Sequence, residues 1–144
     1  MVLKPEALRA RLLELEEAIS RLEELRAQAA AAETDFRIRW AIERGLLLGS
    51  QIVFDVGNHV LSAHFGVAAR DYEDILEQLA QEKVLPAPVR ESLRGLGGFR
   101  NLLAHDYLRL DPAEVRRHLE QAPTRFSAFA LAVRRWLETL QELP

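Results

Sequence analysis

Between Gly97 and Tyr107 the chain gathers Arg100, Asn101, His105 and Tyr107, in the order Gly-Gly-Phe-Arg-Asn-Leu-Leu-Ala-His-Asp-Tyr. An arginine fork can grip a phosphodiester through two parallel hydrogen bonds and stabilise the charge that builds during attack on it. A histidine titrates near neutral pH, so its imidazole can take the proton of a ribose 2′-hydroxyl or protonate a departing oxygen, typically worth roughly 10²–10⁴-fold. Those two roles together are RNA cleavage without a metal, and the need for the 2′-hydroxyl would confine the activity to RNA. Residue types alone, however, favour the plainer alternative of structural polar side chains at a helix end.

These side chains must be positioned by a helix, and the helix raises a difficulty. Val89, Leu93, Leu96 and Leu103 mark an apolar stripe, and Arg100 falls in the middle of it. Buried without a partner it would be costly, so it either meets a carboxylate or lines a cleft or a subunit edge. Arg100 and His105 are five residues apart, roughly 140° around a regular helix, and do not converge on one phosphate. Asn101 and His105 do share a face. Convergence requires that the helix fray at His105-Asp106-Tyr107, or that two copies face each other across a twofold axis. Gly97-Gly98 are poor helix formers and are expected to kink the helix just before Arg100.

Length and composition narrow the classes. The 144 residues suit one domain able to bury its own core, and 49% hydrophobic with 28% charged residues is a folded, soluble composition. Cysteine is absent, which removes disulfides, thiolate metal sites and a thiol nucleophile. His59, His64, His105 and His118 show no metal-binding spacing, so no metal is expected. The opening Met-Val-Leu-Lys-Pro is unlike a signal peptide and no apolar run would span a bilayer, so a cytoplasmic protein is expected. A net charge of −3 argues against coating nucleic acid nonspecifically but allows a local basic rim. Arg90, Arg94, Arg109, Arg116 and Arg117 form that rim or are salt-bridged to acids such as Glu91 and Glu114.

The rest of the chain reads as helices. Leu8, Leu12, Leu15, Ile19, Leu22 and Leu25 lie on one face of a helix from about Pro5 to Ala32. Thr34-Asp35 caps a second helix to roughly Ser62, apolar nearly all round and therefore central, with Gly45 and Gly49 permitting close contact on its buried side. On it Asp55 and His59, one turn apart, form either a surface pair or part of the cleft. His64 to Val67 reads as a loop, Asp71 opens a third helix to about Glu82, and Pro86 breaks the chain before Pro88 opens the fourth. Asp111-Pro112-Ala113-Glu114 starts another helix, expected to stop near Gln121 because Pro123 interrupts it, and a last helix runs from Pro123 to about Leu140. The expectation is an all-α bundle of five to six helices, a single domain over 1–144.

The spacing Arg100-Asn101-x-x-x-His105-x-Tyr107 resembles the motif of the HEPN domains, in particular the HepT-like toxins. Trp40-Ala41-Ile42-Glu43-Arg44 and Asp55-Val56-Gly57-Asn58-His59 are similar to that family's second helix, and Tyr72 with Leu79 to its third. The resemblance implies a HEPN-type up-and-down bundle and a metal-independent RNase toxin that works as a homodimer, with no cofactor. It implies Arg100 and His105 as the catalytic pair, Asn101 in support, and Asp55 and His59 at less specific cleft positions. It further implies a minimal nucleotidyltransferase antitoxin that attaches AMP to Tyr107, where added charge and bulk would block RNA. The alternative is a non-catalytic helical binding module that docks a nucleotidyltransferase and presents substrate or a nucleotide to it.

Overall fold

Leu8, Leu12, Leu15, Ile19 and Leu22 recur every three or four residues and are all buried, and this stripe draws Pro5–Arg26 into helix α1. Each such side chain taken fully out of water contributes roughly 1.5–3 kcal/mol. Pro5 at the first turn supplies a helical φ where no amide donor is needed. The alanine run after it tightens into a 3-10 turn, Ala29–Glu33, instead of prolonging the α-helix.

In this computed structural model, which describes residues 2–141, helix α2 spans Phe36–Val60. Asp35 caps it, its carboxylate accepting from the Arg37 backbone N–H at 2.9 Å. Ten α2 residues are buried, so it is the central element, packed on α1, α3, α5 and α6. The expected loop at His64 is instead a π-type turn, Leu61–Phe65, that extends α2 until Gly66 ends it at φ +66°. Helix α3, Tyr72–Gln81, starts where the Asp71 carboxylate accepts from the Asp74 N–H at 2.8 Å.

The single fourth helix expected from Pro88 onward is two. A short α4, Ala87–Ser92, is separated from α5, Leu96–His105, by a turn in which Gly95 takes φ +86°. A side chain rarely tolerates that conformation, so the break falls at Gly95 and not at Gly97-Gly98, which lie inside α5. Helix α6, by contrast, runs unbroken over Pro112–Gln141 where two helices were expected. Pro123 lacks the N–H that would bond the Leu119 carbonyl, at a cost of about 3 kcal/mol. Ala122, Pro123 and Phe126 are nevertheless buried, and the Arg26 guanidinium donates to the neighbouring Glu120 carbonyl at 3.3 Å. Packing on both sides of the proline therefore outweighs the lost bond.

The result is an all-α, up-and-down bundle of six helices with no strand among the described residues. None of these helices is long and apolar enough to cross a membrane. Met1 and residues 142–144, which the single-domain expectation includes, lie outside the described residues.

Candidate active site

Helix α5 carries the motif; it packs on α2 and is anchored at its start by α3. The Glu73 carboxylate accepts the backbone N–H groups of Gly95 at 2.8 Å and Gly97 at 2.9 Å, so a side chain from another helix caps its N-terminus. A Cβ at Gly97 would stand 2.7 Å from the Tyr72 Cβ, so only glycine permits this approach. Behind Glu73, the buried Arg90 donates to Glu77 at 3.2 Å and lies 3.9 Å from Glu73.

Arg100, half-buried, therefore emerges at a defined place. Its Nε donates to Gln51 Oε1 at 2.9 Å, its Nη1 donates to Asn101 Oδ1 at 3.2 Å, and its Cζ lies 4.9 Å from the centre of the Tyr72 ring. The Tyr72 ring in turn rests on Phe54 of α2, centroids 4.6 Å apart. No carboxylate pairs with Arg100 among the described residues, so the buried-ion-pair explanation of this arginine falls away. Its partners are neutral amides and a π face, which orient the guanidinium without cancelling its charge.

Gln51 continues the chain of contacts. Its Nε2 donates to Asp55 Oδ1 at 2.7 Å, and Arg11 of α1 donates to Asp55 Oδ2 at 2.7 Å. Asp55 and His59 are thus not paired with each other. Asp55 is held by Gln51 and Arg11, whereas His59 Nε2 accepts from the Lys4 backbone N–H at 3.4 Å. Asp55, Gln51, Asn58 and Asn101 line an open groove of about 660 Å³ together with Tyr72 and Gly98, and His59 does not. At its rim the Arg70 backbone N–H, then its guanidinium, hold the Asp74 carboxyl below the usual carboxylate range.

His105 ends α5 and is exposed, followed by a 3-10 turn, Tyr107–Arg109, in which Tyr107 is 66% exposed. The helix therefore stops where fraying was expected. Arg100 and His105 still belong to one regular helix, and a single chain brings Arg100 to Asn101 but not to His105. The five surrounding arginines take the salt-bridged alternative. Arg94 meets Glu91 at 2.8 Å, Arg90 meets Glu77 at 3.2 Å, and Arg109 meets Asp106 at 3.4 Å. Arg116 meets Glu33 at 3.6 Å and Arg117 meets Glu114 at 3.8 Å. Among the described residues no three His, Asp or Glu side chains gather where they could hold a metal.

Sequence reasoning did not single out Gln51 as a contact of Arg100, because the two are 49 residues apart and a glutamine on an otherwise apolar helix carries no pattern of its own. Nor did it single out His118, which stacks on Phe99 with centroids 3.6 Å apart and planes within 5°. Burial, then the charges of Arg125 and Arg117, pull its pKa down to about 4, so it is neutral at physiological pH.

Comparison with known proteins bears on the family and the fold. The family model of HepT-like ribonucleases matches residues 15–133. The tRNA nuclease HepT of Aphanizomenon flos-aquae is 26% identical over 110 residues, 76% of this chain and 74% of the relative. YutE of Bacillus subtilis is 28% identical over 112 residues, 73% of this chain and 78% of the relative. Its solved structure matches with TM-score 0.71 over 91% of this chain and 93% of its own. The fold is also that of a tri-AMPylated Shewanella oneidensis HEPN toxin solved in complex with its MNT antitoxin. That match has TM-score 0.80 and 19% identity over 89% of this chain and 96% of the toxin. With the family model covering most of its length and the HEPN bundle reproduced, this chain belongs to the ribonuclease HepT-like family.

Proposed function

We propose that this chain, as one domain over 1–144 acting in the cytoplasm, is a metal-independent endoribonuclease toxin of a HEPN/MNT toxin–antitoxin pair. Two copies form the cleft, bringing Arg100 of one towards His105 of the other. The observation that carries this reading is the state of Arg100: alone among the arginines of its region it is without a carboxylate among the described residues, and it is oriented by Gln51, Asn101 and Tyr72, three residues that line an open groove. A guanidinium prepared in this way is suited to a phosphate in the transition state.

In the proposed reaction a His105 imidazole accepts the 2′-hydroxyl proton, and the 2′-oxygen bonds to phosphorus. The bond to the 5′-oxygen breaks, and that oxygen leaves with a proton from an imidazolium facing it. The products are a 2′,3′-cyclic phosphate and a free 5′-hydroxyl. Arg100 holds the non-bridging oxygens, and Asn101 keeps Arg100 aimed. For neutralisation, a minimal nucleotidyltransferase directs the Tyr107 phenol oxygen onto the α-phosphorus of ATP; pyrophosphate leaves, and the phenol proton passes to the transferase. The exposure of Tyr107 supports this, since a buried phenol would be out of reach.

The test is cleavage of a bulk tRNA substrate in EDTA by protein prepared without the transferase, with the ends analysed for cyclic phosphate. A His105→Ala protein as active as wild type would overturn the reading. The non-catalytic binding module remains the second reading, favoured by the separation of Arg100 and His105 within one chain. It predicts a stable complex with the transferase and no cleavage at all.

A further inference from the structure

A second cavity, of about 670 Å³, opens between α2, the first turns of α6 and Tyr107, and nothing in the proposed cleavage uses it. Its lining includes the buried side chains of Ile42 and Leu119. Trp40, 59% exposed, also lines it, with an edge contact to Phe36 at 5.0 Å between centroids. Arg39 and Arg116 contribute two guanidiniums. Arg39 makes no ion pair among the described residues, and Arg116 is held only by Glu33 at 3.6 Å. Tyr107 completes the lining.

An exposed indole beside an apolar floor and two cations is the set of surfaces that a single nucleotide requires. The base stacks on the π face, the sugar covers aliphatic carbon, and the phosphate takes the arginines. The volume is in the range of small-molecule pockets. A duplex would not enter it.

We propose that this cavity is a nucleotide pocket that seats the adenosine of an AMP group carried on Tyr107, with the base on Trp40 and the phosphate held by Arg39 and Arg116. This rests on the reading of Tyr107 as the modified residue. The lining also holds the carboxylates of Glu33, paired with Arg116, and of Glu43, which burial pushes up from its ordinary range while the Arg39 charge opposes it, so a phosphate competes with both for the two guanidiniums. Seating the adenosine here lays the adduct along α6 and fixes the turn after His105. The modification then acts by immobilising that turn as well as by its charge.

The chain has two tryptophans, so a Trp136→Phe background leaves Trp40 as the only indole. In that background the protein is co-expressed with an active nucleotidyltransferase, the adduct is verified by intact mass, and Trp40 emission is compared with that of a Tyr107→Phe control. The proposal expects quenched, shifted emission in the adduct, restored when a phosphodiesterase removes AMP. An adduct whose Trp40 emission equals that of the control overturns the pocket while leaving the modification intact. If no adduct forms, the reading of Tyr107 fails, and free AMP titrated into the unmodified protein decides the pocket alone. Saturable quenching with a Kd on the order of 1–10 mM supports it. An Arg39→Ala, Arg116→Ala double variant should bind roughly tenfold more weakly. No quenching in that range overturns it.

Discussion

The two ends of α5 are held in opposite ways. At its start, Glu73 caps the backbone, Gly97 lies against Tyr72, and Arg100 is fixed by two amides and a ring. At its end, His105 and Tyr107 are exposed, and neither side chain hydrogen-bonds to anything among the described residues. A guanidinium that stabilises charge works best when it need not reorganise. An imidazole that moves protons must reach the substrate, and a phenol that is modified must reach another enzyme. The rigid end therefore suits binding and the free end suits transfer.

The largest test of this contrast is the loss of activity with and without loss of stability. Both Arg100→Ala and His105→Ala should lower RNA cleavage by roughly 10²–10⁴-fold. In urea unfolding, His105→Ala should stay within about 0.5 kcal/mol of wild type, whereas Arg100→Ala should lose about 1 kcal/mol with its hydrogen bonds. Equal destabilisation by the two would erase the distinction.

Two neighbouring glycines sharpen it next. Gly97→Ala drives a Cβ to 2.7 Å from Tyr72 and should cost about 1–3 kcal/mol, measured by thermal or urea unfolding. Gly98→Ala meets nothing within 4 Å and should instead stabilise the helix by up to about 1 kcal/mol. The anchored end is disproved if the pair behave alike.

Acid should loosen the anchored end from beneath, through His118 stacked on Phe99. Its pKa is about 4 when folded against an ordinary 6.5, so between these values the unfolded chain binds the additional proton. Stability is thus complete above pH 6.5 and declines as pH falls towards 4, by about 1–2 kcal/mol after allowance for solvent screening. His118→Gln should flatten that slope in unfolding midpoints measured across the range. The smallest effect is expected from Gln51→Leu, which removes the hydrogen bonds to Arg100 and Asp55 but leaves Arg100 held by Asn101 and Tyr72, and should reduce cleavage by about 2–10-fold.

Much of this was legible in the chain. The buried stripe of α1, the caps at Asp35 and Asp71, and the Asp111-Pro112 start of α6 follow from local chemistry that neighbours do not override. The break before α5 falls at Gly95 and not at Gly97-Gly98, although the three glycines are locally equivalent. The Glu73 carboxylate, more than twenty residues away, and the approach of Tyr72 decide which of them turns and which stay helical. Pro123 likewise stays inside α6 because α6 packs against α1 and α2, which a propensity argument does not contain. At the site, Arg100, Asn101, His105 and Tyr107 could be picked out by type and spacing. That Arg100 would meet amides instead of acids could not, because its partner Gln51 arrives from another helix.

The proline inside α6 has a consequence of its own. Because the rod is not severed there, the turn bordering the Tyr107 cavity and the turn at which Arg134 meets Glu16 of α1 belong to one lever. If that beam tilts as one body, filling the cavity at one extremity should alter amide exchange at the α1 seam on the opposite side of the molecule, and unchanged exchange there would show that it bends at Pro123 instead.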